Sequence, residues 1–181
     1  MCSRGWLWPA YEVPFGMTMR ALCEEVAGGL RDGRSIKAVQ IGGPLGGILP
    51  ASKLDTAFDF DALAAEGCMV GHGSILAFDD ETDMREVAIH LLRFGAHESC
   101  GKCFPCRIGL QRAHDMFASA GAGGEPVSRE SFEQLLETLE LGSLCAHGGG
   151  MPAPLRSLLA HFSDELRLPR HRPCRRRPGE P

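Results

Sequence analysis

Cys100, Cys103 and Cys106 form a Cys-x-x-Cys-x-x-Cys run, and Cys145 stands alone well downstream. Three thiols at this spacing curl around one corner of an iron–sulfur cube, because the intervening residues turn the backbone and aim amides at the sulfurs. The fourth ligand must come from elsewhere. Cys145 is the candidate, since it closes an apolar helical segment and precedes Gly148-Gly149-Gly150, a break that lets two distant loops meet. The cofactor expected is a single [4Fe–4S] cluster on Cys100, Cys103, Cys106 and Cys145.

Other thiol chemistries fit this spacing less well. A structural zinc site draws on two paired knuckles, whereas here a triplet is followed by one lone cysteine. A two-cluster ferredoxin places its next cysteine just after the third, before a proline, where this chain has Ile108-Gly109-Leu110. A thioredoxin-like pair would leave the third cysteine unexplained and lacks its βαβ context. Cys2, Cys23, Cys68 and Cys174 are scattered singly and read as small apolar or tail residues. Lys102 and Arg107 bracket the motif; beside a cluster their charge would favour the reduced state and raise its potential, and otherwise they are solvated surface cations. His147 reads as a loop histidine satisfied by backbone or as a donor to a cluster sulfur, His97 is open to the same two readings, and His72 shows no paired spacing.

The elements that must position these thiols belong to a chain of 181 residues and 19.5 kDa, 44% hydrophobic and 23% charged. That composition is globular rather than disordered or membrane-embedded, and no segment approaches the roughly 18–20 apolar residues of a membrane span. With no export signal, a cytoplasmic location is expected. The net charge of −4 hides an asymmetry: Leu166–Pro181 carries six arginines and one acid, leaving −9 on the rest. An acidic body with one tyrosine and two tryptophans argues against a nucleic-acid partner. The arginine- and proline-rich tail reads as a disordered extension.

Met17–Val26 has helical spacing, with Thr18 as its cap and Gly28-Gly29 at its exit. Tyr11–Val13 reads as a short strand, Ile36–Ile41 as a strand ending in the glycine turn 42–47, and Met69–Phe78 as a strand bulged at Gly71 and Gly73. After Asp79 the period changes. One helix carries Met84, Val87, Ala88, Leu91 and Leu92 on a single face, and helices follow over Pro105–Ala118, Ser128–Leu141 and Pro152–Phe162. Ala118–Pro126 is a loop, and the glycines at 148–150 break the chain. The fold class is α+β: a small mixed unit, then a four-helix bundle.

The run Glu98-Ser99-Cys100-Gly101-Lys102-Cys103-Phe104-Pro105-Cys106-Arg107, with Gly109 and Ser143-Leu144-Cys145, resembles the iron–sulfur domain of the 51-kDa flavoprotein family of NADH-oxidising subunits. Its members serve respiratory complex I, NAD-reducing hydrogenases and NAD-dependent formate dehydrogenases. The stretch Lys37–Gly47 resembles the soluble-ligand-binding β-grasp (SLBB) domain of these proteins, and Gly71-His72-Gly73 with Phe78-Asp79-Asp80 looks closest to the formate dehydrogenase beta subunit. Phe104 stands where threonine is common in the family.

The resemblance implies an unassigned segment at 1–10, an SLBB-like β-grasp domain at 11–80, a four-helix [4Fe–4S] domain at 81–165 and a basic tail at 166–181. It also implies that the four cysteines relay electrons from FMN toward further iron–sulfur centres. FMN and NAD would be held by a domain outside this chain, which has no G-x-G-x-x-G loop. The implied partners are flavin-bearing and [2Fe–2S]-bearing subunits of an NAD-linked dehydrogenase, without direct membrane insertion. The alternative is a non-catalytic, truncated module that binds a partner or small ligand.

Overall fold

The computed structural model describes residues 10–121 and 128–166. The arginine-rich tail beyond Leu166 and the unassigned segment before Ala10 lie outside the described residues. A helical turn α1 (Met19–Ala21), continued by a π-helical turn over Leu22–Val26, leads to β1 (Ile36–Ile41), β2 (Ile48–Pro50), α2 (Phe60–Ala65) and β3 (Ile75–Asp79). Helices α3 (Met84–His97), α4 (Phe104–Gly121), α5 (Arg129–Gly142), α6 (Ala146–Gly150) and α7 (Pro152–His161) follow. This is a mixed architecture of helices with a small sheet, as the α+β reading expects.

The sheet has the order β2-β1-β3 and is antiparallel throughout, with Val39 opposite Leu49 on one side and Ala77 on the other. Because successive side chains of a strand point to opposite faces, β1 serves two cores at once. Ala38 and Ile48 pack with the helices, among Met84, Leu92, Leu110, Phe117, Leu136 and Leu158. Val39, Ile41 and Leu49 pack on the other face with Met19, Leu22, Leu54 and Leu63.

Local chemistry sets the element ends. Thr18 Oγ1 accepts from the Ala21 amide at 3.1 Å, and Gly28 and Gly29 leave the helical turn at φ 78° and 76°. Asp83 caps α3 by accepting from the Arg85 amide at 2.8 Å, and Ser128 caps α5 through the Ser131 amide at 3.3 Å. In the helical core Phe117 meets Phe132 edge to face at 4.9 Å, a geometry worth about 0.5–1.5 kcal/mol beyond area burial. Lys37 Nζ donates to Thr82 O (2.7 Å) and Glu165 Oε2 (2.8 Å), and the same carboxylate accepts from the Met84 amide at 3.2 Å. This knot ties β1 to the start of α3 and the end of the described chain.

Several expectations need correction. Tyr11–Val13 forms no strand. The strand expected over Met69–Phe78 begins only at Ile75, because Gly71, at φ 55°, crosses so close to Gly42 that a Cβ there would lie 2.6 Å from the Gly42 carbonyl. That crossing lifts the backbone out of the sheet; the register shift lies instead between Ile36 and Ala38. Glycines 148–150 do not break the chain but complete the short helix α6. Helix α4 runs past Ala118 to Gly121.

The turn after β1 tolerates no side chain at Gly46, where a Cβ would stand 1.6 Å from the Ile41 carbonyl oxygen. Gly46→Ala should therefore lower stability by at least about 1–3 kcal/mol, the cost of forcing atoms into filled space. Chemical denaturation of the two chains checks this; an unchanged midpoint would contradict the turn geometry.

Candidate functional site

The four cysteines gather where α4 starts and α5 ends. Gly101 adopts φ 75°, which turns the backbone between Cys100 and Cys103, and its amide donates to Ser99 Oγ at 3.3 Å. The Cys103 carbonyl accepts from the Arg107 amide at 3.1 Å, which makes Cys103 the residue that caps α4. Cys106 lies one turn into that helix and is buried, whereas Cys100 is exposed. Cys145 is exposed and occupies the cap position of α6.

The electrostatics report how closely these groups approach. Amides hold the Cys103 thiol below its ordinary pKa: the Leu144 N–H contributes most, followed by those of Cys106 and of Cys103 itself, with the Ser143 hydroxyl helping. A sulfur that feels both the Leu144 amide and the first turn of α4 places the Ser143–Cys145 segment directly against the cysteine run. Burial pushes the Cys106 thiol upward, the Ser99 hydroxyl opposes this, and the charges of Cys103, Cys145 and Cys100 add to the rise. The other three cysteines thus lie within electrostatic reach of Cys106. Among the described residues, however, no three His, Cys, Asp or Glu side chains form a set that could hold a metal ion. A single tetrahedral zinc would need its sulfurs drawn to about 2.3 Å from one point.

Packing holds the second loop in place without long side chains. At Gly148 a Cβ would stand 2.4 Å from Ser143 Oγ and 2.9 Å from the Cys106 Cβ, and at Gly142 one would stand 2.9 Å from the Pro105 Cγ. His147 Nε2 donates to the Gly95 carbonyl at 2.9 Å, so this ring is satisfied by backbone, the first of its two readings from the sequence. Lys102 and Arg107 are exposed. Cys23 and Cys68 are buried, and burial raises each thiol to about 11, in keeping with small apolar residues.

Two contributions escaped the sequence. Ser99 Oγ lies 3.2 Å from Cys106 Sγ, and Ser143 Oγ is buried without a hydrogen-bond partner of standard geometry. Each serine stands one or two residues from a candidate ligand, which was the available signal. Amide donors near the Cys103 sulfur and a hydroxyl 3.2 Å from Cys106 Sγ are the kind of surroundings that iron–sulfur ligands have.

The comparisons with known proteins place this site in an iron–sulfur binding region. Residues 86–168 match the family described as the NADH-ubiquinone oxidoreductase-F iron–sulfur binding region, and the chain fits the C-terminal part of the 51-kDa flavoprotein family. It is 40% identical over 157 residues to an NADH-quinone oxidoreductase F-type chain of Rhizobium meliloti (strain 1021), covering 86% of this chain and 37% of that protein. It is 37% identical over 155 residues to the NADP-reducing hydrogenase subunit HndC of Solidesulfovibrio fructosivorans, covering 85% and 32%. A crystal structure of an NAD+-reducing [NiFe]-hydrogenase in the H2-reduced state superimposes with a TM-score of 0.72 at 33% identity, over 89% of this chain and 27% of that one. The chain thus spans about a third of the length of the curated relatives it matches. Among the described residues no helix is long and apolar enough to cross a membrane.

A methyl group at position 148 has no room beside Ser143 and Cys106. Gly148→Ala should displace the 143–145 loop and lower iron retention after anaerobic reconstitution several-fold while leaving helix content near normal. Iron analysis alongside circular dichroism checks this, and full retention would show that the loop is not locked by this contact.

Proposed function

We propose that Cys100, Cys103, Cys106 and Cys145 ligate one [4Fe–4S] cluster and that the chain relays single electrons within an NAD-linked dehydrogenase of the NADH-quinone oxidoreductase, hydrogenase or formate dehydrogenase type. The observation that carries the reading is the packing of the loop before α6 on Cys106, where a Cβ at Gly148 would stand 2.4 Å from Ser143 Oγ and 2.9 Å from the Cys106 Cβ, so that the distant Cys145 lies in a loop held against the triplet. Bound there, a cluster would accept and release one electron at a time. FMN and NAD would belong to a domain or polypeptide outside residues 1–181, and a [2Fe–2S]-bearing partner would take the electron onward, in the cytoplasm. Within the chain, residues 11–80 would form the SLBB-like β-grasp unit and residues 81–165 the four-helix cluster domain.

The chain's own residues do three things in this scheme. Amides and the α4 terminus stabilise negative charge on Cys103. The apolar core beneath Cys106 lowers the local dielectric, so charges on the sulfurs act strongly on one another. The exposed Phe104 (68%), Ile108 (46%) and Leu144 (74%), each adjacent in sequence or within a helical turn of a cysteine, offer apolar surface that a neighbouring redox partner would cover. Phe104 and Ile108 share one face of α4, and Leu144 adjoins them through its amide on Cys103.

Anaerobic reconstitution should load about four irons and four sulfides per chain and give a dithionite-reducible chromophore. Cys145→Ser should lose most of that iron, whereas Cys68→Ser should keep it. Stoichiometric zinc in place of iron, or full iron in Cys145→Ser, would refute the assignment.

A further inference from the structure

Ser99 and Ser143 have no role in ligation, yet their hydroxyls occupy the space between the sulfurs and the protein. The Ser99 oxygen accepts from the Gly101 amide at 3.3 Å, which leaves its own proton directed elsewhere, and Cys106 Sγ is 3.2 Å away. Once Cys106 is a metal-bound thiolate it has no proton to give, so the hydroxyl must be the donor and the sulfur the acceptor. Ser143 Oγ is buried with no hydrogen-bond partner among the described residues, beside Cys106. A buried hydroxyl left unpaired is unfavourable, and an electron-rich sulfur is the acceptor this site would supply.

Resting on the ligation proposed above, we infer that Ser99 and Ser143 are positioning residues that donate O–H···S hydrogen bonds to ligand sulfurs, Ser99 to Cys106, and so raise the cluster's reduction potential. A donor to a thiolate draws charge from iron and favours the state that carries one more electron. Ser99 is held by a backbone amide and Ser143 by the packing of Gly148, so neither must reorganise when the electron arrives. Two fixed donors make the effect additive in direction.

The test compares the reconstituted full-length chain with its Ser99→Ala, Ser143→Ala and doubly substituted variants in potentiometric titrations read by electron paramagnetic resonance. Each alanine should shift the equilibrium toward the oxidised cluster about three- to tenfold, which is about 30–60 mV more negative for a one-electron couple. The double variant should shift further, and Ser99→Thr, which keeps the hydroxyl, should return toward the parent value. Variants that hold the parent's iron at the parent's potential overturn this inference alone. Loss of iron in alanine and glycine variants alike, with threonine variants loading normally, also overturns it, because the serines would then be structural. A parent chain that takes up no iron overturns the ligation itself and this inference with it.

Discussion

The site depends on one approach, that of the segment Ser143–Cys145 to the start of α4. Without the Leu144 amide against Cys103, the fourth thiol would have no reason to stand near the other three. Much of the helical half serves this approach. Helix α5 brings its C-terminus back to Pro105, α6 carries the chain past Cys106, and His147 anchors α6 to the carbonyl of Gly95 in α3. At Gly142 and Gly148 it is the missing side chain that matters, since a methyl group at either would separate the two loops.

Burial and donation work against each other on the four sulfurs. Cys106 sits over the apolar core and its thiol is pushed upward, whereas Cys103 at the head of a long helix is pulled downward. The anionic form is therefore favoured most where amides converge and least where the hydrocarbon lies. The same division places two sulfurs within the protein's polarising influence while Cys100 and Cys145 remain exposed. Phe104, Ile108 and Leu144, beside the cysteines in the sequence, are exposed as well.

Much of this was legible in the residues. The period of 84–92, the Ser128 cap and the Pro152 start located α3, α5 and α7, because long amphipathic faces and polar caps act locally. The short pieces were not legible. Strand β2 has three residues and α2 six, too few for periodicity to register. Glycines 148–150 read as a break because glycine disfavours helix intrinsically, yet Gly148 sits where tertiary contact leaves no side-chain volume, and packing overrode propensity. The premature end of the 69–78 strand had a similar cause, the contact of Gly71 with Gly42 far earlier in the chain, which no local pattern encodes. The triplet and Cys145 could be selected by type and spacing, whereas the serines beside them emerged only from atomic geometry.

The double duty of β1 bears on how the molecule comes apart. Ala38 closes one interior and Val39 the other, so severing the chain near residue 80 would leave each half with a raw oily wall that its own residues cannot cover. The sheet and the helices can therefore share a single melting event, and a fragment containing all four cysteines would still lack the ceiling over its helices.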